Sequence, residues 1–337
     1  MSRPTLKDVA EATGYSVSTV SRALADSPQI SERTRRHIHE VSRRLGYQAD
    51  PIGSLLRAPR PRVIGLLCVL SQELHVVYRD HLLAQAEARS LRMVTESVGP
   101  FRSAADAVHN LRQLRCQTLI VIDPATGAGA LDALGDDTVV IGQERAVVGA
   151  DLVTSDNTRG MDQLIAHLVG LGHRRLVYVD SVPGASASAR RTAFARAATA
   201  AGLSFDVVGG GSDVDAGLAA VAPLLEAGGP LHPAASDRRT AVACYNDQCA
   251  QGAIIALLRA GLRPGADVSV AGVDNSRLAA SSAFDLTSID RRPEEVARLA
   301  VDLAEARIAT APPPEAPQSL VVDTALVARS STGPASR

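Results

Sequence analysis

From residue 62 onward, short apolar runs alternate with longer segments of helical periodicity. The apolar runs predict eight strands, at 62–67, 93–98, 118–123, 138–142, 175–180, 205–209, 240–246 and 268–274. The segments between and after them predict seven helices, around 75–90, 103–115, 158–171, 188–201, 214–227, 247–260 and 293–309. This alternation implies right-handed crossovers and parallel sheets, so the class is α/β. With so many strands, two sheets are favoured over one.

Polar side chains follow several of these strands, at Asp123, Asp180, Asn246-Asp247 and Asp274-Asn275. In open α/β sheets a ligand binds beyond the carboxyl ends of the strands, so these residues indicate where a site lies. The alternative is that they only form turns, since Asn and Asp are common wherever a strand enters a loop.

The first 47 residues have a different pattern, that of three short helices. Thr5 and Asp8 form a capping box, Gly14 ends the first helix, and Ser16 caps the second. A third helix runs from Ser31 to Gly46. Two helices joined by a tight turn, with small polar residues and an arginine facing outward on the second, indicate a helix-turn-helix. The alternative is a small helical cap on the body.

Charge distribution favours DNA binding by this segment. Residues 1–62 carry eleven Lys or Arg against six Asp or Glu, a net charge of +5, which leaves −6 for the rest of a chain whose net charge is −1. A basic head on an acidic body suggests that one end contacts a polyanion.

Composition excludes several other classes. The longest apolar runs fall short of the ~18–20 residues that a membrane span needs, and no basic-then-apolar leader precedes the first helix, so we expect a cytoplasmic protein without membrane contact. The four cysteines show neither C-x-x-C spacing nor clustered histidines, so neither a zinc site nor a disulfide framework is indicated. No metal or cofactor is expected. No G-x-G-x-x-G turn follows the first strand, and no Walker loop or H-E-x-x-H motif occurs, so an enzyme is not expected.

The run TLKDVAEATGYSVSTVSRAL, followed by ISERTRRHIHEVSRRLGYQADPIGSLLR, closely resembles the headpiece of the lactose/galactose repressor family of bacterial transcription regulators. The resemblance extends through HLVGLGHRRLVYV (167–179), YNDQCAQGAI (245–254) and VSVAGVDN (268–275) in the body. It implies a helix-turn-helix headpiece and a two-subdomain core, similar to periplasmic sugar-binding proteins, that closes around a small molecule. It also implies a homodimer that binds a palindromic operator and responds to a sugar or sugar derivative. Induction and corepression use the same geometry, and the sequence favours neither.

By this resemblance, Val17, Ser18 and Arg22 contact bases, with Arg22 the candidate for a guanine contact. The positions that hold phosphates are Ser16, Thr19, Ser21, Ser31 and Thr34. Residues 48–62 correspond to a hinge, in which Leu56 is the apolar wedge that enters the minor groove. Asp50 and Gly53 depart from the family's usual Asn and Ala there, which predicts weaker folding of the hinge on DNA.

In the core, the resemblance assigns ligand binding to Arg190, Asn246 and Asp274, whose donors and acceptors suit a polyol. We expect Gln72 and His75 of the loop 70–78 to contribute as well. The chain has no Trp, so an aromatic platform for a sugar ring comes from Tyr78 or Tyr245 or is absent. Arg291 stands where some sugar-binding members have Gln, which raises the hypothesis of an acidic or phosphorylated effector.

These observations predict a headpiece at 1–47, a hinge and linker at 48–62, a core of two subdomains at 63–330 and a tail at 331–337. The polar C-terminal segment lacks leucine heptads, which favours a dimer over a tetramer. The alternative function is a solute-binding protein or sensor of the same core fold without a DNA-regulating role.

Overall fold

The computed structural model describes residues 4–24, 26–47, 62–123, 134–143, 148–235, 240–309 and 316–335. The chain forms two compact units, Met1–Pro61 and Arg62–Arg337.

The first unit contains three helices, α1 (Leu6–Thr13), α2 (Val17–Leu24) and α3 (Glu32–Leu45). The predicted capping box is present, because the Thr5 side chain accepts from the Asp8 N–H and the Asp8 carboxylate accepts from the Thr5 N–H. Gly14 and Gly46 end α1 and α3 in the left-handed conformation, with φ of 72° and 69°. A small core between the helices consists of Val9, Ala10, Val20, Ala23 and Ile38.

The second unit has two lobes, each built on a six-stranded sheet. The first sheet has the order β11-β5-β4-β3-β1-β2, and every described pair in it is parallel. Its strands are β1 (Val63–Cys68), β2 (Arg92–Ser97), β3 (Thr118–Ile122), β4 (Thr138–Ile141), β5 (Asp151–Ser155) and β11 (Ser319–Val322). The helices α4 (Glu73–Ala88), α5 (Ala104–Gln113) and α10 (Pro293–Ala309) pack on it.

The second sheet has the order β12-β10-β9-β8-β6-β7, and only the short β12 runs antiparallel to its neighbour. Its strands are β6 (Arg175–Asp180), β7 (Ser204–Gly209), β8 (Ala241–Cys244), β9 (Ser269–Val273), β10 (Thr287–Asp290) and β12 (Ala325–Val327). On one face lie α6 (Asn157–Gly170) and α7 (Ala185–Ala200), and on the other α8 (Val214–Val221) and α9 (Asp247–Arg259).

The chain passes between the lobes three times within the described residues, at 155–157, 290–293 and 322–325. As a result, α10 follows a strand of the second lobe but buries Val296, Ala300 and Ala304 in the core of the first. The fold is therefore the predicted α/β arrangement, with a helix-turn-helix headpiece and two lobes of predominantly parallel strands.

The C-terminal residues 331–335 differ from the predicted tail, because they are bonded into the second lobe. Ser331 is buried and exchanges hydrogen bonds with Val270 in both directions through its backbone and side chain. The carbonyl of Gly333 lies 3.0 Å from Nε2 of His173, and the Ala335 N–H donates to Leu171. The Thr287 N–H of β10 also donates to the Ser331 hydroxyl. These bonds satisfy polar groups of β9 and β10, so this segment is part of the lobe.

Across the described part of the chain, no helix combines the length and apolar character needed to cross a membrane.

Candidate functional site

The outward face of α2 carries the side chains predicted to contact bases. Val20 and Ala23 are buried, while Ser18, Ser21 and Arg22 are exposed, and Val17 is 45% exposed despite being apolar. An exposed valine beside two serines and an arginine gives this face apolar, hydroxyl and cationic groups within two helical turns.

Four of the five predicted phosphate-contacting residues lie at the beginnings of α2 and α3, and the fifth, Ser21, lies in the second turn of α2. The Ser16 hydroxyl accepts from the Thr19 N–H at 3.1 Å, and the Ser31 hydroxyl accepts from the Thr34 N–H at 3.3 Å. Each serine also lies within 2.9 Å of the threonine hydroxyl three residues on. Both helix N-termini are thus capped by hydroxyls, and helix N-termini attract anions. Leu56 and the rest of the predicted hinge helix lie outside the described residues.

In the second unit a cleft of about 520 Å³ opens at the carboxyl ends of β1, β3, β6 and β8. From the first lobe it is lined by Val69, Gln72, His75 and Asp123, and from the second by residues 181–187, Ser212 and Tyr245. Gln72 donates from Nε2 to the Ser212 hydroxyl at 2.9 Å, and Ser186 donates to Oδ1 of Asp123 at 2.6 Å. Both bonds join the lobes across the cleft.

A buried charged cluster adjoins the cleft behind Tyr245. Arg190, on α7, is 2% exposed, and its Cζ lies 4.4 Å from the centre of the Tyr245 ring. Its Nη1 donates to the Tyr245 carbonyl at 2.7 Å, while Nη2 lies 3.6 Å from Oδ1 of Asp274. Arg291 is 3% exposed, and its Nη1 lies 3.8 Å from that same carboxylate oxygen. The structure thus brings Arg190, Asp274 and Arg291 together.

Burial controls the ionisation of this cluster. It raises the pKa of Asp274, against the opposing effect of Arg190 and Arg291. Burial works against the charge of Arg190, yet Tyr245, Asp274 and Asp123 raise its pKa above the ordinary value. Asp274 has a φ of 114°, which is unusual for a residue with a side chain and places its carboxylate under Arg190.

His75 is held neutral beside the cluster. Its Nδ1 accepts from the Val69 N–H at 3.0 Å. Burial lowers its pKa to about 4, Asp123 opposes this shift, and Arg291 and Arg190 reinforce it. At neutral pH the imidazole is therefore uncharged, with its second nitrogen as the donor.

Three other predicted residues have different surroundings. Asn246 caps α9 by accepting from the Cys249 N–H at 2.9 Å and donates to the Ser212 carbonyl at 2.9 Å, so both ends of its amide are engaged. Tyr78 is buried on α4 behind the cleft lining, where burial raises its pKa against the effect of Arg291. Of the two candidate aromatic platforms, Tyr245 lines the cleft.

The strand-end rule located some site residues and not others. Asp123 and Asp274 lie at the cleft or the cluster, as the rule predicts. Asp180 instead accepts from the Ser181 N–H and from Arg191, which is the turn-forming alternative. Ser186 and Ser212 were not predicted. The only sequence feature that indicates them is that loops of small residues follow β6 and β7, at the carboxyl ends of the strands.

Nowhere in the described ranges do three or more His, Cys, Asp or Glu form a group that could hold a metal ion.

A helical unit with an exposed polar helix, joined in one chain to a two-lobed core with a polar cleft, defines a ligand-responsive DNA-binding regulator. The family described as bacterial regulatory proteins, lacI family, matches residues 5–50, and a periplasmic binding protein-like domain matches residues 165–332. A crystal structure of a LacI transcriptional regulator from a Rhodococcus species is 30% identical, covering 82% of this chain and all of that one, with a TM-score of 0.74. The chain belongs to the LacI family of transcriptional regulators.

Two further relatives cover most of the chain. The HTH-type transcriptional regulator GalR of Escherichia coli (strain K12) is 27% identical over 92% of this chain and 91% of its own length. The lac repressor dimer bound to operator and the anti-inducer ONPF is 23% identical, covers 98% of this chain and all of that one, and has a TM-score of 0.79. The latter supports the shared fold.

Proposed function

We propose that this regulator is a repressor whose affinity for a palindromic operator is controlled by a sugar or sugar derivative bound in the cleft. The observation that carries the effector part is the polar cleft backed by the buried Arg190–Asp274 pair, because a fork of donors beside a carboxylate suits vicinal hydroxyls. The proposal includes no catalytic step, since the relatives are named as transcriptional regulators.

On DNA, α2 enters the major groove. Arg22 donates to the O6 and N7 atoms of a guanine, Ser18 contacts a base edge, and Val17 packs on a thymine methyl group. The exposure of these three side chains on one helix face supports this assignment.

Phosphates lie at the N-termini of α2 and α3 and set the register of the complex. Their ligands there are Ser16, Thr19, Ser31 and Thr34, and Ser21 contacts a phosphate from the second turn of α2. The capping bonds of Ser16 and Ser31 support this role, because they fix these hydroxyls beside the free N–H groups of each first turn. The hinge at 48–62 follows, with Leu56 as its minor-groove wedge.

The regulator acts as a homodimer, since a palindromic operator requires two copies of α2 related by a two-fold axis. The lac repressor relative was crystallised as a dimer bound to operator, which supports this assembly. Operator DNA lies in the bacterial cytoplasm, where we therefore place the protein. The core then comprises residues 63–330, extended by the packed segment 331–335.

In the cleft, Arg190 and Asp274 hold adjacent hydroxyls of the effector, and the Tyr245 ring contacts its apolar face. Gln72 closes the opening from the first lobe. Asn246 and Tyr78 support the site from behind. Arg291 lies where it can contact a further polar group of the effector.

Effector binding changes operator affinity through linkage. A ligand that contacts both lobes favours one relative position of the lobes, and its effect on DNA equals its preference for that position, typically ~1–3 kcal/mol. The bonds of Gln72 and Ser186 join the lobes in the arrangement described, so a change in the relative position of the lobes would break them.

The substitution Arg190→Ala tests the assignment. We expect operator affinity to stay within about twofold, while the shift in operator affinity caused by sugars is lost, because the main donor fork is gone. Fluorescence anisotropy of labelled operator, with each sugar of a panel added, measures both. The matched control is Arg191→Ala, its half-exposed neighbour on α7 that pairs with Asp180. A normal sugar response in Arg190→Ala would contradict the assignment.

A further inference from the structure

The buried cluster contains two cations and one anion. Arg190 and Arg291 both approach Oδ1 of Asp274, at 3.6 and 3.8 Å, distances longer than a hydrogen bond. Within the described residues, neither guanidinium forms an ion pair with any other carboxylate. A single negative charge is therefore shared between two positive ones.

Several polar atoms of this cluster lack a partner. Nε of Arg190, Nε of Arg291 and Oδ1 of Asp274 are all buried and form no hydrogen bond within the part of the chain that the structure describes. Buried donors without acceptors are unfavourable, and those of a charged group especially so. The cluster is thus complete only when an acceptor enters from outside the protein.

The neighbouring groups do not supply that acceptor. His75 is neutral at physiological pH, and its Nδ1 already accepts from the Val69 N–H. Burial raises the pKa of Tyr78 and of Tyr245, so both phenols stay uncharged and offer neither arginine a negative charge. Asp123 accepts from Ser186 across the cleft and lies beyond ion-pair distance of both arginines.

We infer that the effector is a sugar acid, a polyol with a single carboxylate that Arg291 receives while Arg190 and Asp274 hold its hydroxyls. This inference rests on the proposed sugar-responsive function. The planar guanidinium matches a carboxylate in two parallel bonds. Asp274 is the one carboxylate of the described residues at ion-pair distance of the two guanidiniums, which favours an added monoanion over a phosphate, whose charge at neutral pH is closer to two. The Tyr245 ring lines the cleft and also contacts Arg190, so the cluster lies directly behind the cleft lining.

Calorimetry on the full chain with matched ligands tests the inference. The probes are D-glucose, D-glucuronate and D-glucose 6-phosphate, and the corresponding galactose series. We expect one of the two uronates to bind at least tenfold more tightly than its neutral sugar and its phosphate.

The variant Arg291→Gln should lower uronate affinity at least tenfold and neutral-sugar affinity by much less, so that the preference for the uronate is lost, whereas Arg291→Lys should retain part of the uronate affinity. Arg191→Gln removes a positive charge from the same helix as Arg190, outside the cluster, and should change neither affinity. Melting temperatures confirm that each variant is folded.

The inference would be overturned if a neutral sugar or a phosphate bound more tightly than the uronate, or if neither uronate bound. It would also be overturned if Arg191→Gln lost as much uronate affinity as Arg291→Gln. Operator anisotropy separates this failure from that of the proposed function. A neutral sugar that shifts operator affinity would leave the proposed function intact and refute the sugar acid, whereas failure to distinguish any operator from random DNA would refute the function itself.

Discussion

Single residues at the cleft set how the stability of the core depends on pH. The pKa of His75 is lowered to about 4 from its ordinary value of 6.5, so between these values the unfolded state binds more protons than the folded one. The contribution of His75 is fully present above pH 6.5 and is lost as the pH falls toward 4. Asp247, whose pKa burial and Asp274 raise to about 8, acts in the opposite direction, because its folded state keeps a proton as the pH rises.

The substitution His75→Gln isolates the first effect. Glutamine can still accept from the Val69 N–H but does not titrate. From pH 4 to 6.5, we expect the wild-type free energy of unfolding to rise by up to about 3 kcal/mol more than that of the variant. Above pH 6.5 the two curves of unfolding free energy against pH should run parallel. Urea unfolding of both proteins at a series of pH values measures this, with the exposed His109→Gln as control. Parallel curves over the whole range would show that His75 is not held neutral.

The site residues differ in how much of their role can be predicted from the neighbouring sequence. Arg190, Asp274 and Arg291 were predicted because motifs similar to those of a known family surround them. Their shared carboxylate oxygen could not be predicted, since it joins α7, the end of β9 and the end of β10, which are far apart in sequence. Asn246 was predicted as a ligand contact, but its side chain caps α9 and bonds to Ser212, a partner 34 residues away.

At the scale of elements, all eight predicted strands and all seven core helices are present, within three residues at most ends and with 214–227 continuing as a 3₁₀ turn. The missed strands are β5, β10, β11 and β12. The first two begin with or contain buried polar residues whose partners are distant: Asp151 pairs with Arg307, and Ser288 bonds to Asp247. The other two are short edge strands. Periodicity identifies strands that are apolar throughout and overlooks those whose polar groups are satisfied by tertiary contacts.

The contact between α8 and α9 depends on two glycines. A Cβ on Gly252 would lie 2.1 Å from the carbonyl oxygen of Val214, and one on Gly217 would lie 2.1 Å from that of Cys249. We expect Gly252→Ala to destabilise the core by more than about 2 kcal/mol, because two backbones must separate. Gly170, at the end of α6, has open space around its Cβ position. Gly170→Ala should therefore be neutral or up to about 1 kcal/mol stabilising. Thermal unfolding of both variants measures these changes in stability. Equal changes for the two substitutions would contradict the close backbone contact at Gly252.

At the scale of the whole core, two lobes share three chain crossings and a set of hydrogen bonds across the cleft. Besides the bonds of Gln72 and Ser186, Gln248 on α9 accepts from the Glu73 N–H at 3.2 Å and donates to the Ser71 carbonyl at 3.4 Å. These contacts exist only when the lobes are together. In the proposed linkage mechanism, effector affinity and operator affinity therefore both depend on a few polar bonds at the cleft opening.

The substitution Gln248→Ala removes both of its bonds without touching the charged cluster. A net loss of about 1 kcal/mol for the closed lobes would reduce effector affinity roughly fivefold, because the ligand must first restore closure. By reciprocity, the effector's influence on operator binding should need correspondingly higher concentrations, with the same maximal effect. Calorimetry and operator anisotropy measure the two quantities, and small-angle scattering of the ligand-free protein should show a larger radius of gyration. Gln113→Ala, on the outer helix α5, serves as the control. Unchanged effector affinity with an unchanged radius would mean that the lobes are held together by their chain crossings and not by the bonds at the cleft.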